Sequence, residues 1–185
     1  MMDTDRETTE IPDDPVFGRI NRLMHIAREE DERGLVLSVA AFSEELLGQL
    51  LLAYLRDQKS SAALVDGFNA PLGTFSARIK ACHAIGIISD CQKHDLEVVR
   101  RIRNEFAHNW EGCSFAKQNV RDLALTMKDN RLSKEQPSEP KERFRGSMSC
   151  VLVELSYLKS TLGPGRQIAP LVATHLGLEP YRGAR

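Results

Sequence analysis

The stretch "LVLSVAAFSEELLGQLLLAYLRDQ", residues 35–58, constrains this chain more than any other. Leu35, Val39, Phe42, Leu46, Gln49, Leu50 and Tyr54 recur at helical spacing and approximate one stripe. Leu51, Leu52 and Leu55 then widen the apolar surface to most of the circumference. A helix apolar on so many sides must be enclosed, either at the centre of a helical bundle or against a second subunit.

The rest of the chain supplies helices to enclose it. "DDPVFGRINRLMHIAREEDERG" opens with Asp14 as N-cap and Pro15 at the first helical position, and Gly34 reads as its stop. "KSSAALVDGFNAPLGT" reads as a short helical turn and a Gly/Pro/Asn loop. "TFSARIKACHAIG" puts Phe75, Ile79, Cys82 and Ile85 on one face and ends at Gly86. "SDCQKHDLEVVRRIRNEFAH" begins with a capping box, Ser89 to Gln92. A further helix is expected over 114–128, and the last over "SMSCVLVELSYLKSTL", ended by Gly163-Pro164-Gly165. No convincing strand alternation or internal repeat occurs. The expectation is all-α: a single bundle of about five to seven helices. Residues 1–13 form an acidic disordered tail, 14–162 the bundle with an exposed charged linker at 129–146, and 163–185 a C-terminal tail with a weak apolar pattern.

Composition narrows the function classes. A net charge of −1 builds no long-range attraction to nucleic acid or anionic membrane into the surface as a whole. No apolar run approaches the ~20 residues needed to cross a bilayer, and "MMDTDRETTE" lacks a secretory pattern. Cys82, Cys91, Cys113 and Cys150 show no zinc spacing, and read as buried or half-buried reduced thiols. These features predict a cytoplasmic protein without membrane, metal or cofactor.

One segment carries candidate chemistry. In "RIRNEFAHNW", residues 101–110, Arg103 is followed directly by Asn104 and, five residues on, by His108. R-x4-H alone carries little; the asparagine makes the match uncommon. Five residues of ideal helix turn through about 500°, so Arg103 and His108 point about 140° apart unless the helix loosens before His108. Asn104 and His108 do share a face. Leu96, Val98, Val99, Ile102 and Phe106 form the apolar stripe; Arg103 flanks it, and His108 lies far from its centre.

Two resemblances follow from these residues. Arg103-Asn104-Glu105-Phe106-Ala107-His108 resembles the R-N-x-x-x-H signature of the HEPN superfamily of helical bundles. "APLGTFSARIKACHAIGII" together with "DLEVVRRIRNEFAHNWEGCSF" is similar to the mannitol-operon repressor family of bacterial regulators, over about residues 34–128. Ala70 departs from that family, which carries Gly before Pro-Leu-Gly. The second resemblance implies an all-α regulator acting through protein contacts, without a helix-turn-helix of its own. Direct sequence-specific DNA binding is then not expected, which the near-neutral charge and the lack of a basic recognition helix support.

The first resemblance implies the alternative, metal-independent RNA cleavage by a toxin or defence nuclease. His108 would then move a proton and Arg103 stabilise charge on the phosphoryl oxygens, while Asn104 orients His108 or a phosphate. Arg100 and Arg101 would neutralise flanking phosphates. HEPN ribonucleases commonly combine the motif from two chains, so a homodimer is implied, with an antitoxin as protein partner and RNA as substrate. Plain structural roles compete with these. Arg103 can pair with Glu44 or Glu45 and set helix register, and His108 can cap carbonyls at the end of its own helix. Arg78 and Lys80 read as a solvated face, His83 as a half-buried packing residue, and Trp110 as a seal at the helix end.

Overall fold

The computed structural model describes residues 14–56, 59–109, 111–128, 137–162 and 169. Among them lie seven helices and no strand: α1 (Gly18–Glu29), α2 (Glu32–Tyr54), α3 (Lys59–Val65), α4 (Phe75–Ala84), α5 (Asp90–His108), α6 (Gln118–Leu125) and α7 (Pro140–Leu162). The all-α expectation therefore holds. The residues 1–13, Trp110 and the Gly163-Pro164-Gly165 stop lie outside the described part.

α2 occupies the centre the sequence required, packing against α1, α3, α4, α5 and α7. Val36, Leu47 and Leu50 are fully buried and Leu51 nearly so; each such leucine contributes about 1.5–3 kcal/mol relative to exposure. By length and composition this 23-residue helix could cross a bilayer, contrary to the sequence expectation. More than half of its most apolar stretch is buried inside the bundle, so the apolarity serves the core.

Three boundaries differ from expectation. Gly34 does not stop a helix; it lies in the first turn of α2, whose N-cap Asp31 accepts from the Gly34 amide (2.7 Å). A Cβ on Gly34 would sit 2.8 Å from the Glu30 Cβ, so the glycine permits the close approach where α1 hands over to α2. At the other junction α7 starts at Pro140, inside the stretch read as an exposed charged linker. Phe144 is fully buried there, its ring tilted against Phe115 (centroids 5.3 Å), which is in turn tilted against Phe106 of α5 (5.7 Å). α6 is shorter than expected: Lys117 precedes it and Thr126 closes it.

Other elements follow their sequence signals. α5 begins on the capping box: Ser89 Oγ accepts from the Gln92 amide (3.3 Å) and Gln92 Oε1 from the Ser89 amide (2.9 Å). Gln92 Nε2 also donates to Glu154 of α7 (2.8 Å), tying the start of α5 to the bundle. α4 is capped by Thr74 and gives way to Gly86, whose φ of +77° favours glycine.

The expectation of buried or half-buried thiols fails at Cys91, which is exposed; Cys82 and Cys150 are buried and Cys113 is intermediate. Cys91 lies in the first turn of α5, away from the face that carries Leu96 and Val99 inward. Burial pushes the Cys82 thiol up to about 12, against a lowering by the Arg78 charge.

Candidate functional site

α5 delivers every candidate side chain, and its regularity decides their geometry. The helix runs unbroken to His108, and the Asn109 amide donates to the Glu105 carbonyl (3.1 Å). The loosening that would bring Arg103 and His108 together therefore does not occur, and the two stay about 140° apart. Leu96, Val98, Val99, Ile102 and Phe106 form the buried stripe as expected. Arg103, on its flank, is about one-third exposed and reaches Glu44 of α2 (Nη2–Oε2 3.8 Å). Of the two carboxylates open to it, Glu45 is taken by Arg19 instead (2.7 Å).

Asn104 is half-buried and His108 exposed. The arginine that shares their side of α5 is Arg101, which is also exposed. Arg101 and His108 are seven residues apart, hence within about 20° of one line and about 10 Å apart along the axis. Arg100 turns away and pairs with Glu97 (2.8 Å).

The end of α5 is held by residues that sequence spacing did not single out. Arg33, in the first turn of α2, donates to the carbonyls of Phe106 and of Asn109 (the latter 2.7 Å). The Asn109 side chain takes the Glu105 carbonyl (2.9 Å). A guanidinium and an amide thus fill the carbonyl-capping role considered for His108, and the imidazole is left at the surface. Beside it, Glu105 accepts from Asn119 (2.5 Å) and Lys117 (3.3 Å) of the segment leading into and beginning α6. The Asn119 hydrogen bond, then that of Lys117, holds the Glu105 carboxyl below its ordinary range.

Arg78 overturns the expectation of a solvated face. Its side chain is 13% exposed. Nε donates to the Leu72 carbonyl (3.0 Å), Nη1 to Glu44 (2.8 Å) and Nη2 to Val65 (3.0 Å). Three backbone segments thus meet on one planar donor fork. Lys80 is exposed, as expected. His83 is half-buried and bonds Asp90 (2.8 Å), joining the end of α4 to the start of α5.

Chemically, the described chain offers the exposed Arg101 and His108 with the half-buried Asn104 beside them, and an Arg103 whose charge is already answered by Glu44. A phosphate would have to draw Arg103 away from that carboxylate, and one chain does not converge Arg103 and His108 on a single point. Among the described residues no group of three or more His, Cys, Asp or Glu is placed to hold a metal ion.

No family model matches the chain, and neither does any curated protein. Among solved structures it is similar to a chain in the X-ray structure of the MtlR-HPr complex from Escherichia coli. The two share 19% identity with a TM-score of 0.54, over 77% of this chain and 96% of that one. At that identity the likeness establishes a shared helical fold, of the mannitol-repressor kind.

Proposed function

We propose that this chain is a bacterial regulatory protein that works through protein–protein contacts and carries no base-reading element of its own. The observation that carries the reading is the fold shared with nearly the whole of a chain in the MtlR-HPr complex, a protein–protein assembly. Two features support it. The net charge is −1, and three basic residues near the candidate site are answered internally, Arg100 by Glu97, Arg103 by Glu44 and Lys117 by Glu105. A surface so neutralised is poorly suited to the phosphate contacts that dominate nucleic-acid affinity. In this reading residues 14–162 act as one cytoplasmic bundle domain, as a homodimer.

Deleting the gene tests the reading. The expected outcome is a changed transcript level of a sugar-transport operon, restored by the wild-type chain. Unchanged transcripts across sugar conditions would sink it.

A second reading, RNA cleavage at a site composed from two chains, is favoured by one observation: His108 and Arg101 stand exposed on the same side of α5, where a second copy could meet them. It requires the Arg103 of one chain to reach the His108 of the other. Loss of RNA cleavage in both Arg103→Ala and His108→Ala, with unchanged circular dichroism, would establish it. Purified wild-type protein that degrades no RNA would eliminate it.

A further inference from the structure

Where the start of α1, the middle of α2 and the end of α7 meet, the bundle keeps a hollow of about 210 Å³. Val16, Phe42 and Leu46 give it apolar walls. Its polar side comes from α7, where Ser156, Lys159 and Ser160 follow one another at i, i+3 and i+4, on one face and within one turn.

Two of these polar groups lack what their neighbours have. Ser156 is only 7% exposed, and its hydroxyl makes no hydrogen bond among the described residues. Ser43, equally internal to a helix, donates to the Val39 carbonyl (2.7 Å), and Ser160 to the Tyr157 carbonyl (2.7 Å). The Ser147 hydroxyl is also unpartnered but sealed inside the core, whereas that of Ser156 retains access to the hollow it lines. Lys159 is half-buried and faces no carboxylate among the described residues. The other cation at the hollow, Arg19, is already answered: it pairs with Glu45 (2.7 Å) and lies over the Phe42 ring (5.5 Å from its centroid). The Gln49 amide is likewise taken, donating to Glu45 (2.6 Å) and accepting from Arg19 (3.3 Å). The hollow therefore presents one unanswered positive charge and one free, nearly buried hydroxyl beside apolar walls.

That combination selects a ligand class. A carboxylate satisfies both groups at once, one oxygen taking the ammonium and the other the hydroxyl. One unanswered cation balances a monoanion; a phosphate, with a charge near −2, would be left in excess beside Glu45. Volume sets the body. A cavity of about 150 Å³ accommodates benzene, so this one takes a six-membered ring or a branched chain together with its carboxylate. It is smaller than the about 300–1,000 Å³ of sites for drug-sized ligands.

We propose that this hollow is a binding site for a small monocarboxylate with an apolar body, an aromatic or branched-chain acid, held by Lys159 and Ser156. Because three helices line it, an occupant ties α1 to α2 and α7.

Calorimetric titration of the full chain tests this, with benzoate and isovalerate as probes. Benzamide supplies the ring without the charge, and acetate the charge without the body. For about ten non-hydrogen atoms, saturable binding of at least one probe is expected with a Kd on the order of 0.1–1 mM. Benzamide and acetate should bind at least tenfold more weakly. Lys159→Met should weaken the probe about tenfold and Ser156→Ala about three- to tenfold. Lys80→Met, at an exposed lysine of α4, should change nothing. Absence of binding by both probes overturns the proposal, as does benzamide binding as tightly as benzoate. A Lys159→Met chain that is folded by circular dichroism and binds like wild type overturns it too. The titration uses the isolated chain, so its outcome is independent of whether the protein regulates through a partner.

Discussion

At Arg78 three carbonyls from α2, the end of α3 and the loop before α4 converge on one guanidinium. This explains why Gly48 lies in the middle of the most apolar helix: a Cβ there would meet Arg78 Nη1 at 2.8 Å. On propensity alone Gly48→Ala should stabilise a helix interior by about 1 kcal/mol. Here the added methyl displaces a donor that cannot yield without orphaning buried carbonyls. The expected result is a net loss of about 1–2 kcal/mol in denaturant unfolding, and a gain would refute the clamp. The Pro71-Leu72-Gly73 segment and Arg78, which carried part of the family resemblance, therefore act mechanically. Gly73 lies so close to the Ala70 carbonyl that a Cβ would stand 3.0 Å from it. A second expectation concerns the thiols. Cys82 is buried and raised to about 12, so at pH 8 it stays a thiol. Aromatic disulfide reagents should label Cys91 rapidly in the native protein and Cys82 only on unfolding. Rapid native labelling of Cys82 would contradict its burial.

α5 shows how far an element can be read before its neighbours are known. Its start was legible in Ser89 and Gln92, because a capping box is local: both partners lie within one turn. Its inward face was legible from the 3.6-residue period. Its far end was not, because the groups that secure it, Arg33, Lys117 and Asn119, lie 12 to 73 residues away in sequence from the groups they bond. The Glu105 cluster there yields a pH test. Its carboxyl is held below the ordinary 4.5, so the folded state favours the ionised form. The stabilisation is complete above pH 4.5 and is lost as pH falls through the lower folded value. The stability difference between wild type and Glu105→Gln should therefore be present at pH 6 and shrink steadily below pH 4.5. A difference independent of pH would show that the carboxylate does not carry the contact.

Over the whole molecule, α2 is enclosed by α1, α3, α4, α5 and α7, and Leu47 sits on it with no exposed surface. Leu47→Ala should cost about 2–5 kcal/mol, the usual range for a leucine-to-alanine cavity in a packed core. A loss under 1 kcal/mol in equilibrium unfolding would mean that the core collapses around the site. The same enclosure bears on function. With α5 packed inward on α2, only its outer side, bearing Arg101 and His108, is open to another molecule, while Arg103 is drawn toward α2 by Glu44.

By itself the amino-acid sequence determined the all-α class, the central helix, the caps of α5 and the divergence of Arg103 from His108. Each of these depends on periodicity or on partners within a turn. Only the tertiary structure decided that Gly34 joins two helices, that Arg78 is a buried clamp, that α7 extends back to Pro140 and that Arg103 pairs with Glu44. These outcomes depend on which distant segment arrives at a given side chain. A lone arginine in a sequence does not disclose whether carbonyls, a carboxylate or water will meet it, because all three satisfy its donors and packing alone selects among them.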